Sequence, residues 1–104
     1  MVARADLLPG LQAAQCCHAL RLFCADHKVE ENFWYEKSNN LVLLQVPDRE
    51  SLVALQKRAF NQGVSVSLFC EPDLGNEPTA LTLGFGAKGL VSNFSLLLKG
   101  HTIL

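Results

Sequence analysis

The sequence predicts an α/β fold with a roughly four-stranded mixed sheet and helices on both faces. Residues 11–24, LQAAQCCHALRLFC, contain no Gly or Pro and carry a polar residue at every third position, as one ridge of an α-helix does. Residues 41–46, LVLLQV, form an apolar run between turn residues, which is typical of a strand covered on both faces. Residues 64–70, VSVSLFC, alternate in their first half like a strand with one wet face.

Length and composition predict one domain over residues 1–104. The chain has 104 residues, of which 49% are hydrophobic and 18% are charged, so it is long enough for one core and too short for two. The formal net charge of -1 gives no general electrostatic attraction to nucleic acid. No apolar run approaches the ~20 residues of a membrane span, and no signal peptide is evident, so we expect a cytoplasmic protein without membrane contact.

The four cysteines do not predict a metal site. They form no CxxC pair and no Cys/His set at zinc spacing, so we interpret them as reduced core thiols. No metal and no organic cofactor are expected.

The first helix is predicted over Leu11–Asp26, after a short apolar start. Met1–Ala5 is either a very short edge strand or the end of a longer natural amino-terminal region. One ridge of the helix is polar: Gln12, Gln15, His18 and Arg21. This ridge is either solvated, which helix statistics alone favour, or the wall of a cleft into which an amide and an imidazole point.

A second, short helix is predicted over Val29–Glu36, with its aromatic residues 33–35 capping one end of the core. Turn residues 38–40 separate it from strand 41–46, which we place in the middle of the sheet.

The next helix begins after Pro47, with Asp48 as its N-cap, and ends at Gly63 as its C′ residue. Its buried stripe is predicted as Leu52, Leu55, Ala59 and Phe60. Strand, helix and strand then form a βαβ unit with parallel neighbouring strands. A polar loop over residues 71–79 precedes a strand at 80–85, a turn at 86–89, a short helix at 90–94 and an edge strand at 96–98.

Four segments resemble one enzyme family. Residues 13–19, AAQCCHA, are similar to the AAQ-C-x-HA signature of the archaeal and eukaryotic type (class II) of peptidyl-tRNA hydrolase. Residues 43–48 resemble that family's strand before a P-[DS]-E-x-x-L helix start. Residues 63–69 resemble its G-[LI]-x-x-S-L-[IF] strand, and residues 83–86 its LGIGP segment. The four matches occur in the family's order along nearly the whole chain.

The resemblance implies a cofactor-free hydrolase that cleaves the ester between a peptide and the 3′ end of tRNA, often as a homodimer. Carried over by position, His18 and either Glu71 or Asp73 are the candidate catalytic residues. Gln15 and Thr79 are the candidates for binding substrate and orienting water. Such a site needs a proton acceptor for water and a donor for the developing oxyanion.

The chain departs from the family at the approach to the first helix. The family's basic Lys-Gly-Lys positions fall on Pro9, Gly10 and Leu11, so this is a divergent member in which the lysine credited with catalysis and phosphate attraction is a leucine. Leucine can neither hold a phosphate nor neutralise transition-state charge. Three cations are candidates to replace it in space: Arg4, Arg21 and Lys88.

Three functions therefore remain open. The first is a peptidyl-tRNA hydrolase or related ester hydrolase that binds tRNA or peptidyl-tRNA. The second is a non-catalytic binding module that keeps the cleft but has lost the lysine. The third is a dimerising subunit whose polar helix ridge is buried against a second copy.

Overall fold

The structure, a computed structural model, describes residues 1–97. Its strands are β1 (Val2–Arg4), β2 (Leu44–Val46), β3 (Val66–Glu71), β4 (Glu77–Leu83) and β5 (Ser95–Leu96). Its helices are α1 (Pro9–Asp26), α2 (Lys28–Lys37), α3 (Arg49–Asn61) and α4 (Lys88–Val91), with a single 3-10 turn at Pro72–Leu74. No helix of this part of the chain is long and apolar enough to cross a membrane.

The strands form one mixed sheet in the order β3-β4-β1-β2-β5, which has five strands among residues 1–97. β1 pairs with β2 in parallel, and the other three pairs are antiparallel. The predicted α/β class and mixed sheet are confirmed. The fifth strand, β5, is the predicted edge strand: it lies at one edge of the sheet and is only two residues long. Leu98, the last residue of that prediction, lies outside the described residues.

Helices α1 and α3 cover opposite faces of the sheet. Side chains alternate along a strand, so Ala80 packs in the cluster with Cys16 and Ala19 of α1, while Leu81 packs with Leu52 of α3. Ala19 of α1 and the strand residues Ala3 and Ala80 are fully buried. Because these side chains are small, the helix lies close to the sheet. This close approach positions the functional side chains of α1 directly over β3 and β4.

Two predictions of strand position were wrong. The first strand is not an edge strand but lies between β4 and β2, where Val2 and Ala3 are buried. β2 and β3 are not neighbours either, because β1 and β4 lie between them. The adjacent parallel pair is β1 and β2, which are joined through α1 and α2.

The ends of α3 agree with the sequence. Asp48 accepts a hydrogen bond from the Ser51 backbone N–H at 2.9 Å, and this bond lowers the pKa of the Asp48 carboxyl. Gly63 has a φ of +71°, as expected of a C′ glycine. Leu52, Leu55 and Ala59 are buried as predicted, because they repeat at helical spacing on the sheet-facing side.

Some apolar residues expected in the core are exposed. Phe60 is 78% exposed because it falls beside the buried stripe of α3 rather than on it. α2 has no buried residue, so the aromatic residues 33–35 do not cap the core. The strand predicted over 41–46 is limited to β2, in the fourth position of the sheet, and Leu41 and Val42 are exposed.

Candidate functional site

An irregularity between β3 and β4 determines where the Thr79 side chain points. Phe69 is paired with Ala80 and Cys70 with Pro78, so Thr79 is the extra residue of a β-bulge. A bulge breaks the alternation of side chains and turns one residue toward the other face of the sheet. Thr79 therefore points under α1, on the same face as Ala80. It is fully buried, and the prediction that residues 77–79 belong to a loop was wrong because β4 begins at Glu77.

Gln15 joins the bulge to the end of β3. Its Nε2 donates to Glu71 Oε1 at 2.9 Å, and its Oε1 accepts from the Thr79 hydroxyl. The Thr79 hydroxyl also lies 3.5 Å from the Phe69 carbonyl oxygen. Gln15 is 1% exposed, so both ends of a buried amide are satisfied within the protein. Gln15, His18, Phe69, Glu71 and Thr79 are called the Gln15 cluster below.

His18 lies one turn after Gln15 on α1 and is exposed. Its ring stacks on the Phe69 ring, with centroids 4.8 Å apart and an angle of 16° between the planes. Stacking uses the faces of the imidazole and leaves its nitrogens at the ring edge free to donate or accept. The imidazole thus packs on Phe69, which precedes Glu71 by two residues on β3.

Asp73 lies beside Glu71 in the 3-10 turn. Its backbone N–H donates to Glu71 Oε2 at 3.4 Å, while its side chain is exposed. The Glu71 carboxylate therefore accepts from Gln15 with one oxygen and has only this long contact on the other. Of the two candidate carboxylates, Glu71 is the one that contacts the rest of the Gln15 cluster.

The polar ridge of α1 is partly buried and partly exposed, so each of the two alternatives considered from the sequence holds for some of its residues. Gln12 and Gln15 are buried, whereas His18 and Arg21 are exposed. The Gln12 Nε2 donates to the Leu7 carbonyl oxygen at 2.7 Å, which satisfies its amide. Exposure of the whole ridge, which helix statistics favoured, was wrong, because the α1 start turns toward the bulge and the preceding loop.

No lysine stands at the start of α1. The helix begins at Pro9, a residue whose fixed φ suits the first turn, and Leu11 is half-buried. Of the candidate replacements, Arg21 is exposed on the same ridge as His18. Lys88 lines a different cavity, which contains no residue of the Gln15 cluster.

Arg4 is close to the bulge, but its charge is already paired. It bonds both carboxylate oxygens of Asp6, and one of its terminal nitrogens lies 2.8 Å from Glu77 Oε1 and 3.0 Å from the Pro78 carbonyl oxygen. Arg49 adds a second cation at 3.2 Å from Glu77. The hydrogen bonds that Arg4 donates to Asp6 lower the pKa of the Asp6 carboxyl and raise the pKa of the Arg4 guanidinium.

Sequence reasoning missed this Arg4 pairing and the stacking partner of His18. Residues from distant segments of the chain make both contacts, so no local spacing indicates them. For the cysteines, Cys16 is a core thiol whose pKa is raised to about 11 by burial. Cys17 and Cys70 are exposed, so their interpretation as core thiols was wrong.

The site is equipped for proton transfer and hydrogen bonding. Within residues 1–97, no group of three or more His, Cys, Asp or Glu side chains is arranged to hold a metal ion. A carboxylate held by an amide, beside an accessible imidazole, can accept a proton from water and donate one to a leaving oxygen.

Comparison with known families gives a match over nearly the whole chain. The family described as peptidyl-tRNA hydrolase PTH2 matches residues 1–100 of the chain. No curated protein matches the chain at a significant level.

Proposed function

The chain belongs to the peptidyl-tRNA hydrolase PTH2 family, and from this membership we propose that it hydrolyses the ester between a peptide and the 3′ end of tRNA. The observation that supports the proposal most directly is the bridge made by Gln15 between Glu71 and Thr79. Residues from α1, β3 and β4 meet there, at the positions that the family resemblance assigns to the site.

In the proposed reaction, Glu71 is the general base. Its less-engaged oxygen takes a proton from a water molecule, whose oxygen forms the new bond to the ester carbonyl carbon. The bond to the ribose oxygen then breaks, and His18 donates a proton to that oxygen. The products are the peptide acid and tRNA with a 3′ hydroxyl. The acid ionises by releasing its proton to solvent, and the proton held by Glu71 returns through solvent to His18, so atoms and protons balance. Asp73 remains the alternative general base, because it lies two residues after Glu71 in the 3-10 turn that follows β3.

Gln15 and Thr79 act as positioning residues in this proposal. Both side chains are buried and bonded to each other, so they reach substrate only through the groups they hold. Gln15 keeps one oxygen of Glu71 occupied and thereby directs the other oxygen away from the helix. This modifies the role expected from the sequence, in which Gln15 and Thr79 bind substrate and orient water directly.

Attraction of tRNA requires a cation, and Leu11 supplies none. We assign this role to Arg21, which is exposed on the same ridge as His18 and makes no ion pair within residues 1–97. Arg4 is less suitable because Asp6 and Glu77 already neutralise it. A single domain, a homodimer and a cytoplasmic location are further proposals, for which the family resemblance is the support.

The test is a single-turnover assay of the purified chain on an N-acetylated aminoacyl-tRNA, with release of the N-acetylated amino acid as the measurement. Glu71→Gln is expected to reduce the rate by about 10²–10⁴-fold, because a neutral amide cannot accept the proton. Glu77→Gln is the matched control, since Glu77 binds arginines outside the cluster. Asp73→Asn separates the two candidate bases, and a larger loss in that variant would assign the role to Asp73.

His18 is tested in the same assay. His18→Ala is expected to lose rate, whereas His27→Ala, which removes a histidine packed on Phe23 away from the site, retains most of it. Equal rates for His18→Ala and the unmodified protein would exclude proton donation by His18.

A non-catalytic binding module is the second candidate, and Leu11 in the lysine position favours it. This function predicts saturable binding of tRNA or another ligand without release of the N-acetylated amino acid. Cleavage that disappears in Glu71→Gln but persists in Glu77→Gln would exclude it.

A further inference from the structure

A second site lies at the opposite end of the sheet from the Gln15 cluster. A cavity of about 420 Å³ is lined by the second half of α1, by α2, by the end of β4, by α4 and by residues of β1 and β2. We propose that this cavity, called the Thr82 cavity, binds a small, uncharged, mainly apolar molecule that carries one hydrogen-bonding group. Its volume falls within the roughly 300–1,000 Å³ typical of pockets for small molecules.

The walls of the Thr82 cavity are mainly apolar and come from helices α1, α2 and α4, from the end of β4, and from residues of β1 and β2. The apolar side chains of the lining include Leu20, Phe23, Trp34, Leu83, Phe85 and Val91. Apolar walls with a few polar groups are the usual composition of ligand pockets, because burial supplies affinity while the polar groups give orientation. The walls therefore suit an aromatic or aliphatic body.

Thr82 supplies the polar group. It lines the cavity, it is 5% exposed, and its hydroxyl has no hydrogen-bond partner within residues 1–97. The hydroxyl of its cross-strand neighbour Ser67 bonds Asp26 at 2.8 Å instead. A buried hydroxyl without a partner is unfavourable, and such a group calls for a specific explanation. A hydroxyl or carbonyl group of a ligand would satisfy it after a rotation of the Thr82 side chain, because the hydroxyl oxygen is itself buried as that side chain stands.

One wall is held in place by a specific contact. The Phe85 backbone N–H donates to Glu30 Oε2 of α2 at 2.6 Å, and the Phe33 and Phe85 rings meet edge to face at 5.3 Å. Gly84 permits the hydrogen bond between Phe85 and Glu30, because a Cβ at position 84 would overlap the Glu30 carboxylate. α2 buries no residue of its own, so these contacts with the β4–α4 connection keep the cavity closed on that side.

The charges around the cavity favour an uncharged ligand. Glu30 and Glu31 contribute two carboxylates to the lining, and the ammonium group of Lys88 and the amino group of Met1 balance them. A lining with balanced charges has no net attraction for an anion or a cation.

The Thr82 cavity is separate from the Gln15 cluster. Thr79 and Thr82 are three residues apart on β4, about 10 Å along the strand. Between them, Cys16 and Ala19 of α1 pack on Ala3 and Ala80, and all four are 0–1% exposed. The proposed ligand thus occupies a site of its own and does not depend on the proposed hydrolysis.

The test compares p-cresol with toluene, which differ only in the hydroxyl group. Trp34 is the only tryptophan in the chain and lines the cavity, so its fluorescence reports binding directly. We expect a saturable change with both probes, and p-cresol binding about threefold to tenfold more tightly, as one net hydrogen bond provides. In Thr82→Val, which keeps the shape of the side chain, this preference is expected to disappear.

Two further variants keep the result interpretable. Ala87→Phe fills part of the cavity and is expected to abolish binding of both probes. Thr79→Val, at the other buried threonine of β4, is the matched control and is expected to keep the preference. The proposal is overturned if neither probe gives a saturable change, if toluene binds as tightly as p-cresol, or if binding persists in Ala87→Phe.

Discussion

The two buried threonines of β4 have opposite surroundings. Thr79 donates to Gln15, whose amide is itself completed by Glu71, so each polar group of the Gln15 cluster that is buried has a partner. Thr82 has no partner in the described part of the chain and lines an apolar cavity. The difference indicates that the first region is organised before substrate arrives, whereas the second lacks, within residues 1–97, a group that completes its hydrogen bonding.

Removing the bridging amide is expected to have the largest effect on this contrast. Gln15→Leu leaves the Thr79 hydroxyl buried without its partner and releases Glu71, so we expect a loss of about 2–4 kcal/mol in the free energy of unfolding. Hydrolysis should fall as well, because Glu71 loses its orientation. Urea denaturation measures the first effect. Gln56→Leu, on α3, serves as the control, and an equal loss there would show that the amide bridge contributes nothing.

The same substitution at the two threonines is expected to change stability in opposite directions. Thr79→Val removes the donor to a buried amide oxygen and should cost about 1–3 kcal/mol. Thr82→Val replaces an unsatisfied hydroxyl with a methyl group of the same shape, so stability should stay level or rise by up to about 1 kcal/mol. Thermal and urea denaturation of each variant, compared with the unmodified protein, measures the two changes in stability. Destabilisation by Thr82→Val would mean that its hydroxyl has a partner and would remove the contrast.

Glycine substitutions test the wall of the Thr82 cavity. Gly84→Ala displaces the Glu30 carboxylate from the Phe85 N–H, and we expect a loss of about 1 kcal/mol together with a change in Trp34 fluorescence. Gly89→Ala, in α4, has open space around the new Cβ and should be neutral or stabilising by about 0.5–1 kcal/mol. Equal effects of the two substitutions would argue against the Glu30 contact.

The smallest expected effect concerns Arg21. Arg21→Gln should leave stability unchanged but weaken tRNA binding, and the slope of log affinity against log salt should decrease by about one unit. Filter binding over a salt series measures the slope. Arg58→Gln, an exposed arginine of α3, is the control. A slope that is unchanged in Arg21→Gln would place the phosphate contact elsewhere.

Local sequence was sufficient for several features of the fold and the candidate site. The helical period of residues 11–24, the Asp48 cap and the Gly63 terminus depend on neighbours within a few positions, and the structure has all three. The family resemblance selected Gln15, Glu71 and Thr79, and the structure brings these three side chains into contact. Their chemical roles remain predictions.

Strand order could not be read from local patterns. Val2 and Ala3 form too short an apolar stretch to signal a central strand, yet pairing with both β2 and β4 places them there. The exposure of α2 could not be predicted from local sequence either, because an amphipathic pattern does not specify which surface a helix packs against.

The sequence by itself determined the types of secondary structure, the helix ends and the family, because each depends on residue identity and short spacing. Only the tertiary structure decided that Gln15 is buried and that a bulge turns Thr79 toward it. It also decided that Thr82 lines a cavity and that its hydroxyl has no partner among residues 1–97. Hydrogen-bond satisfaction depends on the distances between segments that lie far apart in the chain. Those distances exist only once the sheet has formed and α1 lies on it.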